Sequence, residues 1–280
     1  MASFNQRLLQ AQRKVSSVLC IGLDPDLHRI PRHLLSAQPE AEAVMAFNKA
    51  VVRATAPYAC AYKLNFAFYE ALGRRGYEVI QHTLACIPRH AVAIADAKRG
   101  DIGNTANKYA HAVFRTLDFD ACTVAPYMGR DAVAPFLRYA DKAAFVLART
   151  SNESARDFQE IPCGQEKLFH LVARRAAAWD KEFAGNAGLV VGATSPTALR
   201  ELRALCPQLP FLIPGVGAQG GTPEDIAPAF SGPVIVNSSR AVIYASPGTD
   251  FAERAADGAR QTRELLAGLV PESSQEAADQ

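Results

Sequence analysis

Several protein classes are excluded by what this sequence lacks. No window holds the ~18 or more uninterrupted apolar residues of a membrane-spanning helix. The N-terminal MASFNQRLLQAQRKV is polar and basic and has no apolar core, so it does not read as a signal peptide. Neither charge sign is in excess: 30 Lys and Arg face 28 Asp and Glu, for a net charge of +2. A nucleic-acid-binding surface should be strongly basic, so no such partner is expected. The six cysteines (Cys20, Cys60, Cys86, Cys122, Cys163 and Cys206) form no CxxC pair, and the six histidines show no HExxH or zinc-type spacing. Cys20, Cys60 and Cys122 lie in or beside apolar runs, where a free thiol behaves as a small hydrophobe. Unpaired thiols in a reducing, cytoplasmic compartment are predicted. No internal repeat, low-complexity block or linker divides the chain.

What the chain does have is a series of short apolar runs at fairly even spacing. They are VLCIGLD (18–24), AYKLNFA (61–67), AVAIADAK (91–98), ACTVAPY (121–127), AAFVLART (143–150), GLVVGAT (188–194), PFLIPGVG (210–217) and PVIVNSS (233–239). Each begins almost continuously apolar and ends in polar residues or glycine. Continuous runs predict strands covered on both faces, as in a parallel sheet. Helix-compatible segments lie between them at 40–56, 104–117, 166–183 and 195–206. Ser195-Pro196 and Thr222-Pro223 each put a capping hydroxyl before a proline suited to the first helical position. Asp225 completes a variant capping box with Thr222. Eight strands alternating with helices predict one (β/α)8 barrel over residues 1–270, with a polar tail at 271–280. A doubly wound open sheet is the main rival. Trp179 lies on an apolar helical face and is expected in the core, and DFQEIPCGQ (157–165) suggests a mobile loop.

In such a barrel, chemistry belongs at the C-terminal ends of the strands. The third run leads straight into DAKRGDIGNT (96–105), where Asp96, Lys98, Arg99 and Asp101 place four charges in six residues. Alternation on a strand predicts that Asp96 and Lys98 point the same way, into the mouth, with Lys63 beside them from the neighbouring strand. Asp101, past the strand, can reach its own site or that of a second subunit. Close opposite charges keep such lysines protonated and such carboxylates ionised, in an array that need not rearrange during a reaction. A substrate carboxylate set against Asp96 would be repelled, and its loss as CO2 would relieve the repulsion. Lys98 would then be a proton donor already in place. A solvated salt-bridge cluster is the bland alternative, and Asp96 or Asp101 as magnesium ligands is another.

PGVGAQGG (214–221) contains GxGxxG, a weak nucleotide signal by itself, with no acidic residue about 20 positions later. The loops after the seventh and eighth barrel strands frequently bind phosphate. There, glycine amides, Gln219 and the fork of Arg240 could hold one. Asp24 in GLDP could accept hydrogen bonds from sugar hydroxyls, or simply make a turn. Ser151 could cap a helix or touch a base ring, and Tyr127 and Met128 could line the mouth or pack.

These stretches together resemble the orotidine 5'-phosphate decarboxylase family, in its longer bacterial subgroup: GLDP, KLNFAFYE around Lys63, DAKRGDIGNT, TSN, PGVGAQGG and NSSR. The likeness runs from about Phe4 to about Phe251. The DxKxxD core is shared with sugar-phosphate decarboxylases, whereas the longer string is far more specific. The resemblance implies a (β/α)8 barrel that converts orotidine 5'-monophosphate to UMP without cofactor or metal. It implies that Lys98 protonates C6, Asp96 sits near the departing carboxylate, and Lys63 and Asp24 bind ribose hydroxyls. Gln219 and Arg240 would hold the phosphate and Ser151 the pyrimidine. The family's dimers would bring Asp101 and Thr105 into the partner's site. Tyr109, Val113 and Phe114, at helical spacing, are the expected face for that contact. Two further readings stay open: a magnesium-dependent sugar-phosphate decarboxylase or aldolase, and a phosphate- or nucleotide-binding protein without turnover.

Overall fold

A computed structural model describes residues 2–183, 185–216 and 221–269 of the protein. All eight apolar runs are strands: β1 (Leu19–Leu23), β2 (Ala61–Asn65), β3 (Val92–Arg99), β4 (Ala121–Val124), β5 (Ala143–Arg149), β6 (Ala187–Val191), β7 (Phe211–Pro214) and β8 (Val234–Ser238). Each pairs in parallel with its neighbours in chain order, and β8 returns to β1, closing the barrel. The expected (β/α)8 architecture is the one observed, and the open sheet is ruled out by the β1–β8 pairing.

The continuous runs conceal a strict alternation. Leu19, Ile21 and Leu23 of β1, with Tyr62 and Leu64 of β2, pack outward in the large core between strands and helices. Cys20, Ala61, Val92, Ile94, Ala121, Phe145, Val190, Leu212 and Ile235 fill the barrel. Both faces are apolar, so period two is invisible in the letters. The helix Phe4–Val15 plugs the N-terminal mouth with Phe4, Leu8, Ala11 and Val15, and the Phe4 and Phe145 rings meet edge to face at 5.9 Å. Gly188 makes room for Phe145: a Cβ there would lie 2.6 Å from the ring.

The four predicted helical segments are helices at Glu40–Thr55, Gly103–His111, Leu168–Glu182 and Pro196–Leu205. Thr222 and Asp225 form the capping box, whereas Ser195 makes no side-chain cap bond and only Pro196 marks that start. Two packing expectations are corrected. Val113 and Phe114 are buried in this chain's own core, with Phe114 against Phe136 and Tyr139, so only Tyr109 of that trio is exposed. Trp179 is half-buried and packs on the rim of the core rather than within it. All six cysteines are free, and burial pushes the Cys60 thiol up to about 12. Among the described residues no helix is long and apolar enough to cross a membrane.

Candidate active site

The inward parity that is apolar at the bottom of the barrel turns polar at the top. Lys63 follows Ala61, Asp96 follows Ile94, Thr123 follows Ala121, and Asn237 follows Ile235. Side chains two apart share a face, so each of these four strands delivers one polar group to the same C-terminal mouth. There they line a cavity of about 850 Å³ with Asp24, Lys98, Ser151 and Arg240.

Asp96 is the hub. Its Oδ2 accepts from Lys63 Nζ at 2.8 Å, and its Oδ1 accepts from Lys98 Nζ at 2.6 Å. Lys63 Nζ also lies 4.0 Å from Asp24 Oδ1. Burial alone would push the Asp96 carboxyl up, but the charges of Lys63 and Lys98 and their hydrogen bonds outweigh it, holding it well below the usual range. Burial would pull Lys63 down, yet Asp96 and Asp24 outweigh it and raise it. Both groups are therefore charged at neutral pH. Asp24 Oδ1 is buried and accepts no hydrogen bond among the described residues. An acceptor in that state suits a hydroxyl-bearing ligand.

Asp96 and Lys98 do meet, but not by plain strand alternation. Pairing between β3 and β4 slips between Ala95 and Arg99, and Lys98 has φ 46°. A left-handed lysine in a strand is a costly conformation of the kind found at functional sites. Thr123, absent from the sequence-level candidates, sits at that slip, 1% exposed. Its hydroxyl accepts from the Lys98 backbone N–H at 3.0 Å and donates to Asp96 Oδ1 at 3.0 Å. Within ACTV it looks like a core residue, and no spacing marks it. Arg99 turns away, to Glu70 at 2.5 Å and over the rings of Phe66 and Tyr109.

Other candidates divide. Ser151 lines the cavity and is not a helix cap, since the turn Glu153–Asp157 starts after Asn152. Arg240 lines it from the end of β8, and Gly215, at φ 103°, from the end of β7. Gln219 lies outside the described residues. Asp101 and Thr105 are not brought to this cavity; Asp101 Oδ1 accepts the Ile102 N–H at 2.8 Å, and Thr105 is exposed. Tyr127 and Met128 neither line the mouth nor pack, at 89% and 54% exposed. Within 157–165, Gln159 makes two hydrogen bonds of 2.8 Å with Thr150, and Glu160 accepts from Arg149 at 2.8 Å. Among the described residues no group of three or more His, Cys, Asp or Glu could hold a metal ion.

Residues 17–255 match the model of the Orotidine 5'-phosphate decarboxylase / HUMPS family. A Herpetosiphon aurantiacus protein named orotidine 5'-phosphate decarboxylase is 47% identical over 254 residues, covering 90% of this chain and 93% of its own. One of the same name from Thermomicrobium roseum is 44% identical over 281 residues, covering 98% of this chain and 99% of its own. The solved structure of Leishmania donovani OMP decarboxylase superposes with a TM-score of 0.82 at 35% identity, covering 96% of this chain and 99% of that one. Fold, cavity and family match coincide, and the chain belongs to the orotidine 5'-phosphate decarboxylase / HUMPS family and is a carboxy-lyase.

Proposed function

We propose that this chain decarboxylates orotidine 5'-monophosphate to UMP in de novo pyrimidine synthesis, in the cytoplasm and without a cofactor. The observation that carries the reading is the alternating row Asp24, Lys63, Asp96, Lys98 in one cavity, with Asp96 held ionised between two ammonium groups. The substrate's carboxylate lies against Asp96, whose charge cannot be relieved by protonation near neutral pH. The C6–carboxyl bond breaks, CO2 leaves, and the electron pair stays on C6. Lys98 Nζ delivers its proton there, giving UMP, and the amine regains a proton from solvent. Because the charges are already in place, little reorganisation accompanies the step. Lys63 and Asp24 bind the ribose hydroxyls, Ser151 the pyrimidine, and Arg240 the phosphate, together with Gln219.

The working unit in this reading is a homodimer with shared sites. Asp101 and Thr105 lie off this chain's own cavity, and Ile102, Tyr127 and Met128 expose apolar surface on the two loops that meet at Gly100 and Ala125. A second copy covering that surface would receive Asp101 and Thr105.

The decisive assay follows loss of orotidine 5'-monophosphate absorbance in EDTA. Metal-independent turnover is expected. Turnover only of a 3-keto-sugar phosphate, and only with magnesium, would move the chain to the sugar-phosphate reading. UMP binding without turnover of either substrate would leave a binding protein. For the dimer, Asp101→Ala and Lys98→Ala subunits, each inactive, are mixed. Half the dimers are then mixed, and each holds one intact site, so about a quarter of wild-type activity returns. No recovery after verified subunit exchange would refute sharing.

A further inference from the structure

Two residues of β3 are extra opposite β4. Ala95 pairs with Cys122 and Arg99 with Val124, so Asp96, Ala97 and Lys98 together face Thr123. In a regular ladder the Lys98 N–H would have a backbone partner on the next strand. At this slip it has the Thr123 hydroxyl instead, at 3.0 Å. The same hydroxyl spends its own proton on Asp96 Oδ1, the oxygen that also takes the Lys98 ammonium at 2.6 Å. One buried oxygen thus ties the carboxylate to the backbone of the residue that carries the ammonium. A hydroxyl can accept and donate together; valine, of the same shape, can do neither.

We propose that Thr123 is a positioning residue, whose hydroxyl holds Lys98 in its left-handed conformation and sets the separation between the Lys98 ammonium and the Asp96 carboxylate. The proposal rests on the roles given above to Asp96 and Lys98. The physical reason is that a lysine at φ 46° persists only where its surroundings over-determine it. Lys98 is exposed at its side chain, so packing does not hold it. Without the hydroxyl, Lys98 can relax toward extended backbone, and its Nζ moves away from the position where a carbanion forms. Thr123 is not expected to touch the ribose or phosphate, so ground-state binding should survive.

The test compares wild type with Thr123→Val, Thr123→Ala and Thr123→Ser in the full chain. Thr123→Ala removes the hydroxyl without crowding if the valine variant folds poorly, as thermal melts will show. Decarboxylation of orotidine 5'-monophosphate should lose ~10- to 100-fold in kcat without the hydroxyl, the scale of a roughly 1 Å misplacement. KM and calorimetric UMP affinity should stay within ~3-fold, the pattern of an interaction made chiefly in the transition state. Thr123→Ser should recover most of kcat. A second readout needs no substrate: acylation of Lys98 by a lysine-reactive reagent, read by peptide mass spectrometry, should rise in the valine and alanine variants and not in the serine variant. Unchanged kcat and unchanged labelling in both hydroxyl-free variants would overturn the proposal, as would a serine variant no better than valine. Absence of wild-type turnover would instead count against the functional reading, while the labelling still decides whether Thr123 positions Lys98.

Discussion

Lys63, 4% exposed, lies at the C-terminal mouth of the barrel, and Arg203, 3% exposed, lies outside the strands near their N-terminal ends, on the helix Pro196–Leu205. Lys63 is matched with carboxylates, Asp96 and at longer range Asp24. Arg203 is held by carbonyls: those of Ala229 (3.0 Å), Leu209 (2.8 Å) and Pro233 (2.8 Å), with its guanidinium 3.7 Å from the centre of the Phe211 ring. Burial is the main influence on Arg203 and pulls it down to about 10, whereas the carboxylates around Lys63 overcome burial and raise it. The carbonyl set is a clamp. It joins the turns that precede β7 and β8. The carboxylate set differs: it keeps charge beside an open cavity, leaves an Asp24 oxygen without a hydrogen bond among the described residues, and includes a left-handed lysine. The cation matched by neutral dipoles ties backbone segments together, and the one matched by charges keeps those charges at a cavity.

The sharpest way to break this contrast is Lys98→Ala. Turnover should fall by ~10³-fold or more, since a positioned general acid alone contributes ~10²–10⁴. UMP affinity and unfolding midpoint should hardly change, because the Lys98 side chain is half exposed. Near-wild-type turnover would remove Lys98 from its role and blur the contrast between the two cations.

Arg203→Met is the converse. Several carbonyls lose their donor inside the protein, and each buried unpaired group costs about 1–3 kcal/mol. A loss of about 3–5 kcal/mol in urea unfolding is expected, with kcat per folded molecule intact. A loss under 1 kcal/mol, or a direct effect on kcat, would mean that the carbonyl set is not a separate clamp.

The smallest effect is in pH. Asp96 is held below the ordinary carboxylate range, so its contribution to stability is fully present above about pH 4 and is lost as pH falls through the range below. Arg203 stays charged throughout that window, in folded and unfolded chain alike, and adds no slope there. Between pH 7 and 3, wild type should therefore lose on the order of 1–2 kcal/mol more than Asp96→Asn in denaturant unfolding. Equal slopes would show that Asp96 is not held ionised by its lysines.

How much of this was legible differs by residue. The eight strands could be read because each is an apolar run long enough to be covered on both faces and ends in a polar group. Asp96 and Lys98 could be read as a cluster because they end such a run, and Lys63 because it interrupts one on the neighbouring strand. Thr123 and Arg203 could not. Thr123 is one letter in ACTV and works only because β3 slips beside β4. Arg203 looks like the polar stripe of the helix Pro196–Leu205 until the turns before β7 and β8 close over it. Val113 and Phe114 show the same limit: helical spacing revealed an apolar face, and the spacing was right, but the partner was this chain's own core.

The sequence by itself determined the number and order of strands, the parallel sheet, and which carboxylates and lysines stand at strand ends, since these follow from hydrophobic pattern and local charge. Only the tertiary structure decided which strand lies beside which polar group, where register slips, and which buried cation meets charge or carbonyl. Those depend on barrel closure, which brings together groups far apart in the chain, and their distances exist only once it has closed.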